Sequence, residues 1–270
     1  MRRITITMLL LVAVAAAGCG SDGVETQADT GADDTAATTT SSTEAETSGS
    51  EVAERYFTAL STISITDDQD SIDASREGTP ARDYATMQNA LALAQSGSAG
   101  LLADQTLEVD GSVIRLCDEG ETGDQCVTYG DLEVDGNQLT DFTINGEDPR
   151  ARLSVGGNPV AIAGITYTPI GAYQGVETNR IYVAYKVENA AGAPLQLSMF
   201  SESYVDASGQ QFSAADSYGP TSAIQPGANA TAVAVFDGAT IGGQLGVNGY
   251  IDDSSFTEAP ATLTIAPPAV

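Results

Sequence analysis

The sequence lacks histidine and tryptophan and carries little positive charge. Its 270 residues include 37 Asp or Glu and only 10 Lys or Arg, which gives a formal net charge of −27. Nucleic-acid interfaces need clustered basic side chains to contact phosphates, and Lys186 is the only lysine, so the composition excludes that function class. The absence of histidine excludes imidazole-based catalysis and His-ligated zinc. The absence of tryptophan excludes the buried indole of an antibody-type core.

A short apolar leader opens the chain. Arg2 and Arg3 precede an apolar run from Ile4 to Ala17, which is shorter than the roughly 20 residues that a membrane-spanning helix needs. A basic start followed by a short apolar run is typical of a secretory signal peptide and not of a permanent transmembrane anchor.

The end of the leader, Ala16-Ala17-Gly18-Cys19, resembles the lipobox of bacterial lipoproteins. The resemblance implies that residues 1–18 are a lipoprotein signal peptide and that Cys19 becomes the diacylated first residue of the mature chain. Two acyl chains give stable anchoring, so we expect a lipid anchor on the extracytoplasmic face of the cell membrane. Lipoboxes favour Leu where Ala16 stands, and ordinary secretion with cleavage near Ala17 is therefore the alternative.

The segment after this cysteine has the composition of a linker. Residues 20–50 are rich in Ser, Thr, Gly and Ala, carry seven acidic side chains and contain no Lys or Arg. Such a segment cannot bury enough apolar surface to fold. We therefore predict that residues 19–50 are a lipidated cysteine followed by a disordered acidic linker.

Residues 51–153 are predicted to form an α+β domain with helices on an antiparallel sheet. A first helix is indicated by apolar residues at helical spacing, namely Val52, Tyr56, Leu60 and Ile63. A second helix is predicted to begin at Thr79-Pro80 and to end before Gly97, with an apolar stripe of Tyr84, Met87, Leu91 and Ala94. The apolar period then changes to two, and Asp110-Gly111 and Asp135-Gly136 predict two β-hairpins.

The second predicted hairpin carries a family resemblance. The run from Tyr129 to Gly146, Tyr-Gly-Asp-Leu-Glu-Val-Asp-Gly-Asn-Gln-Leu-Thr-Asp-Phe-Thr-Ile-Asn-Gly, resembles the last two strands of the nuclear-transport-factor-2-like cone found in actinobacterial secreted proteins. The resemblance implies a cone-like domain over residues 51–153. Cones of this family host isomerases and cyclases, in which a carboxylate base and tyrosines act in an apolar pocket.

Cys117 and Cys126 are predicted to form a disulfide. They lie at the inner ends of two neighbouring predicted strands with eight residues between them. If Cys19 is acylated, these are the only thiols left in an oxidising compartment. A redox or metal pair is the alternative, although two thiols without histidine make a poor zinc site.

Residues 158–266 are predicted to form an all-β immunoglobulin-like sandwich. Short apolar runs alternate with turns, and Ile181, Val183, Tyr185 and Val187 are expected to face its core. Four stretches, Tyr182–Asn189, Val205–Phe212, Ile224–Gly227 and Val233–Phe236, resemble the telokin-like immunoglobulin family of secreted Gram-positive proteins. They contain a strand ending in Asn, a turn before an aromatic residue, and Pro-Gly ahead of an apolar strand ending in Phe.

A ligand pocket is one hypothesis for the cone-like domain. Its candidate lining residues are Tyr56, Phe57, Tyr84, Met87, Leu91, Leu116 and Phe142. If the domain were an isomerase-like or cyclase-like enzyme, Tyr56, Tyr84 and Tyr129 would be hydrogen-bond donors and Asp83 or Asp131 the base. No catalytic residue is assigned, because none of these groups sits in a recognisable motif and Gly-x-Ser-x-Gly is absent.

The acidic stretch containing Asp67, Asp68, Asp70 and Asp73 does not fit a calcium loop. Counted from Asp68, an EF-hand needs glycine where Asp73 stands and glutamate where Thr79 stands. We predict a solvated acidic loop there, no metal site and no cofactor.

The sequence therefore favours a non-enzymatic, cell-surface lipoprotein. We expect it to be held in the membrane by diacylglycerol on Cys19 and to present a binding module to an envelope protein or polymer. A carrier of a small apolar ligand is the alternative, and an enzyme is the third reading.

Overall fold

The computed structural model describes residues 49–61, 69–97, 105–118, 126–175 and 178–269. These residues belong to one compact unit, Glu44–Val270, built mainly from antiparallel β-sheets with few helices. The predicted leader, Cys19 and most of the acidic linker lie outside the described residues, as do Ile63, Asp67 and Asp68.

Three helices precede the strands. They are α1 (Gly49–Ser61), α2 (Asp70–Asp73) and α3 (Pro80–Gly97). The two predicted helices are confirmed as α1 and α3, and α3 begins at Pro80 because proline suits a first helical position. The short helix α2 lies in the predicted acidic loop and was not expected.

The first sheet is a four-stranded meander in the order β1-β2-β3-β4. Its strands are β1 (Gln105–Asp110), β2 (Val113–Asp118), β3 (Val127–Asp135) and β4 (Gln138–Ile144). Both predicted hairpins are confirmed, and their first loop residues, Gly111 and Gly136, have φ of 62° and 63°. A positive φ at this position is the reason for glycine in each two-residue loop.

The remaining strands form three further antiparallel sheets. They are β5 (Leu153–Val155), β6 (Val160–Ile162), β7 (Ile165–Gln174), β8 (Arg180–Asn189), β9 (Leu195–Leu197), β10 (Ser203–Asp206), β11 (Gln211–Ser213), β12 (Asp216–Tyr218), β13 (Asn229–Asp237), β14 (Gly243–Val247), β15 (Gly249–Ile251), β16 (Thr257–Glu258) and β17 (Ala261–Ile265). The largest sheet has the order β12-β13-β8-β7-β5, with β6 also on β7. The others have the orders β11-β10-β14-β17 and β16-β15-β9.

One face of the largest sheet packs against the two smaller sheets. Ile181, Val183, Tyr185 and Val187 of β8 are buried there, as the alternation predicts. They share a core with Leu245 and other residues of β9, β10, β14, β15 and β17. The strand-rich region therefore has an apolar centre enclosed between sheets.

Part of the opposite face of the largest sheet is also buried, although the alternation assigns that face to solvent. Ala184 of β8 and Val233 of β13 belong to the same core cluster as α1, α3 and the first sheet. Helix α3 contacts β4 of the first sheet and β13, β7 and β5 of the largest sheet. The helices thus form a layer shared by both predicted regions. Strand β5, within the boundary segment predicted at 153–158, and β6, just after it, both pair with β7.

Candidate functional site

The predicted pocket residues lie in this shared core. Helix α1 supplies Tyr56 and Phe57, α3 supplies Tyr84, Met87 and Leu91, β2 supplies Leu116 and β4 supplies Phe142. Six of the seven are buried, and Leu91 is partly buried against them. The structure therefore brings all seven candidates into one cluster.

Their rings contact one another. The ring centroid of Phe57 lies 4.4 Å from that of Tyr129 and 5.5 Å from that of Phe142. Tyr84 lies 5.4 Å from Phe142 and 5.6 Å from Tyr173 of β7. These are ordinary edge-to-face and tilted contacts between packed rings. The arrangement is that of an aromatic core that joins both predicted regions.

The hydroxyl groups of this cluster bond within it. Tyr56 donates to the backbone oxygen of Ala81 at 2.7 Å, and the hydroxyl oxygens of Tyr84 and Tyr129 lie 2.9 Å apart. Burial raises the pKa of all three phenols above the ordinary value, so they remain neutral. Neutral, mutually bonded phenols fit a structural role in a core.

The two candidate bases differ in their surroundings. Asp83 on α3 is half-buried, and desolvation raises its pKa. Asp131 is exposed, and its Oδ2 accepts a hydrogen bond from the Thr143 hydroxyl at 3.2 Å.

An open groove of about 800 Å³ lies between α1, α2 and the β3–β4 turn. Its lining is mostly polar: Glu51, Glu54, Arg55, Thr58, Ala59, Asp70, Asp73, Ala74 and Asn137. The Arg55 guanidinium closes one part by donating to the backbone oxygen of Asn137 at 2.5 Å. None of the seven pocket candidates lines this groove, and within the described ranges no group of three or more His, Cys, Asp or Glu side chains is arranged to hold a metal ion.

The predicted disulfide is confirmed. Cys117 near the end of β2 bonds to Cys126, the residue before β3, and both side chains are buried. The bridge ties two neighbouring strands of the first sheet beside their connecting loop.

Sequence reasoning missed a buried carboxylate in the strand-rich region. Glu202 is 3% exposed and precedes β10. Its Oε1 accepts from the Tyr185 hydroxyl at 3.2 Å, and its Oε2 accepts from the Ser217 hydroxyl at 3.0 Å. Desolvation raises the pKa of this carboxyl, while the two hydrogen bonds act in the opposite direction.

The hydrogen bonds of Glu202 and Ser217 also fix the backbone of Phe200, whose ring is exposed. The Ser217 hydroxyl also accepts a hydrogen bond from the backbone N–H of Phe200 at 3.2 Å. Phe200 is 64% exposed and has φ of 67°, a left-handed conformation that phenylalanine rarely adopts. Nothing in the local sequence around Phe200 signals this arrangement, because its supports come from β8 and β12.

Comparisons with known proteins give little. No family model and no curated protein matches the chain. A solved structure with some likeness is the crystal structure of a functionally unknown protein from Listeria monocytogenes EGD-e, which is 11% identical. That match covers 43% of this chain and 85% of the other, with a TM-score of 0.30. Among the described residues, no helix is long and apolar enough to cross a membrane.

Proposed function

We propose that the protein is a lipid-anchored, non-enzymatic binding module on the extracytoplasmic face of the cell membrane. The observation that carries the proposal is the Cys117–Cys126 disulfide, because structural disulfides persist in oxidising compartments outside the cytosol. It agrees with the leader that ends in Ala16-Ala17-Gly18-Cys19. Export thus accounts for both the leader and the bridge.

We propose further that the helices and first sheet belong to the nuclear-transport-factor-2-like type and that the C-terminal sheets form an immunoglobulin-like sandwich. The first assignment is supported by helices packed on a four-stranded meander. The second is supported by antiparallel sheets that enclose a common core. Folds of both kinds carry many functions, so the assignment bears on architecture and not on activity.

The packing of the aromatic cluster favours a binding module over a carrier of an apolar ligand and over an enzyme. A carrier needs apolar space between Phe57, Phe142 and the helices, whereas these rings contact one another. An enzyme of the isomerase or cyclase kind needs a carboxylate opposite a tyrosine hydroxyl within this cluster, whereas Tyr84 and Tyr129 of the cluster are hydrogen-bonded to each other.

The test of anchoring compares the full chain with Cys19→Ser in the same bacterial host. We expect the wild-type protein in the membrane fraction, cleaved by protease added to intact cells and carrying an acyl mass on Cys19. Cys19→Ser is expected to lose the acyl mass and leave the membrane fraction. Wild-type protein in the cytosol with its initiator methionine and free thiols would contradict the proposal.

The test of binding uses intact envelope. The wild-type chain and a tether-only control ending at Ser50 are crosslinked on the cell surface, and the products are recovered under denaturing conditions. Specific products with the wild type alone are expected. Identical recovery from both proteins would argue against a binding module.

A further inference from the structure

The three-stranded sheet β16-β15-β9 carries exposed aromatic side chains on or beside each strand. Phe200 follows β9, Tyr250 is central in β15, and Phe256 precedes β16. Their exposed fractions are 64%, 38% and 67%. We propose that these three rings form a docking surface for a basic segment of a partner protein. The inference rests on the proposed binding function and names its site and the chemistry of its partner.

The register of the sheet places Phe200 and Phe256 beyond opposite ends of the row that contains Tyr250, because β9 and β16 are both antiparallel to β15. Tyr250 pairs with Gln196 of β9 and with Glu258 of β16, and all three residues are exposed. Phe200 is four residues beyond Gln196, and Phe256 is two residues before Glu258. At no more than about 3.6 Å per residue, these offsets of six residues in opposite directions together span at most about 22 Å along the strands.

The separation of the three rings is small enough for all of them to lie within one protein–protein interface. A standard protein interface buries about 800 Å² on each partner, which corresponds to a patch roughly 30 Å across. The inner residues of the same strands, Leu195, Leu197 and Ile251, are buried in the core. The aromatic surface therefore has a packed support, and exposed aromatic side chains on such a support are frequent anchors of protein interfaces.

Both phenylalanines are held in defined turns. The N–H of Ser201 bonds to the oxygen of Ser198, so Phe200 is the third residue of a tight turn. In the second turn, Asp253 accepts hydrogen bonds from the N–H groups of Ser255 and Thr257 and from the Thr257 hydroxyl. Phe256 has φ of 49° there. Both rings are thus attached to backbone that is already ordered, which reduces the entropy lost on binding.

The negative charge around the three rings favours a positively charged partner. Residues 187–270 contain no Lys or Arg and eight acidic residues. Three of these, Asp252, Asp253 and Glu258, lie in or next to the Phe256 turn and β16. A second copy of this chain would place the same negative charges opposite one another, and an anionic polymer or anionic lipid would be repelled as well.

A basic segment satisfies both features of the surface. Lys and Arg stems pack on aromatic faces, and their charged ends interact with the rings and with nearby carboxylates. Complementary charge also accelerates encounter and makes binding sensitive to salt. A neutral polysaccharide would use the rings but not the carboxylates, and salt distinguishes it from a basic peptide.

The experiment selects short random peptides on the purified full chain and measures their affinities. Peptides rich in Lys and Arg are expected, with affinity that falls as ionic strength rises. In the double variant Phe200→Gly/Phe256→Gly we expect at least about a tenfold loss. Glycine is compatible with the left-handed backbone at both positions, so the variant is expected to remain folded. The double variant Asp252→Asn/Glu258→Gln should bind the same peptides with lower affinity than the wild type does.

Matched controls are Val109→Thr and Val155→Thr, which change exposed apolar residues on β1 and β5. Their affinities should equal that of the wild type. Neutral or acidic selected peptides, unchanged affinity in the glycine variant, or salt-independent binding of chitooligosaccharides at these rings would overturn the inference. Surface crosslinking that the glycine variant retains would also overturn it while leaving the proposed binding function intact. Absence of crosslinked products with the wild type would instead remove the proposed function.

Discussion

The hydroxyl oxygen of Tyr185 lies 3.2 Å from Oε1 of Glu202, in the interior beside the largest sheet. The carboxylate is also bonded by Ser217, whose hydroxyl supports the backbone of Phe200. Strand β8, strand β12 and the segment before β10 therefore meet at the carboxylate of Glu202. Because desolvation raises the pKa of Glu202, we expect this group to make the stability of the strand-rich region depend on pH.

Glu202→Gln is expected to change the pH dependence of unfolding. Because burial raises the pKa of Glu202, the folded state holds the proton more tightly than the unfolded state. Its contribution to stability is complete below the unfolded pKa and is lost as pH rises through the higher folded pKa. The variant should therefore gain stability relative to the wild type as pH rises above the unfolded pKa of about 4.

Urea unfolding at several pH values measures this difference. Glu133→Gln, a change at an exposed carboxylate of β3, is the control and should follow the wild-type profile. A constant difference between Glu202→Gln and the wild type across the range would show that Glu202 does not titrate in this window.

Gly243→Ala is expected to destabilise the fold by at least about 2 kcal/mol. Gly243 has φ of 150°, and a Cβ there would overlap the backbone oxygen of Val205 in the adjoining strand β10. Gly209→Ala is the matched control, since its φ is 84° but nothing lies within 4 Å of a Cβ. Its cost should be about 1 kcal/mol. Equal denaturation midpoints for the two variants would contradict the steric argument.

Removing the disulfide by Cys117→Ser/Cys126→Ser should cost about 2 to 3 kcal/mol, because the bridge closes a short loop in the unfolded chain. Guanidinium unfolding of the oxidised protein, the reduced protein and the variant gives the comparison. The reduced protein and the variant should agree, and reductant should leave the variant unchanged. Reduction without effect on the wild type would indicate that the bridge does not form in the isolated protein.

Phe142→Ala should cost about 3 to 5 kcal/mol, since Phe142 is buried among Tyr56, Phe57, Tyr84 and Tyr129. Phe256→Ala removes the same side chain at an exposed turn and should change stability by less than about 0.5 kcal/mol. Chemical denaturation measures both. A small cost at Phe142 would mean that the ring borders unfilled space and would revive the carrier hypothesis.

Features set by local chemistry were predictable from the sequence. Asp110-Gly111 and Asp135-Gly136 marked the hairpins because a two-residue loop needs a positive φ. Cys117 and Cys126 were near each other in sequence and at the ends of neighbouring strands. The alternation in β8 correctly identified its inner face.

Features set by distant packing were not predictable. Ala184 lies on the side of β8 that alternation assigns to solvent, yet helix α3 from far upstream covers it. Glu202 depends on hydroxyls 17 and 15 residues away in sequence. The aromatic side chains proposed to line a pocket instead pack against one another, because apolar spacing on a helix identifies a buried face without stating whether the space beyond it is filled.

Residues on both faces of the largest sheet are buried, and this limits where the chain can be cut into fragments. A fragment starting at Asn158 would expose Ala184, Val233 and Val235 to water once the helical layer is gone. A contiguous apolar β-surface of this kind promotes aggregation. The C-terminal sheets are therefore not expected to be soluble when expressed alone. Any reporter fusion or display format should keep α1 to β17 together.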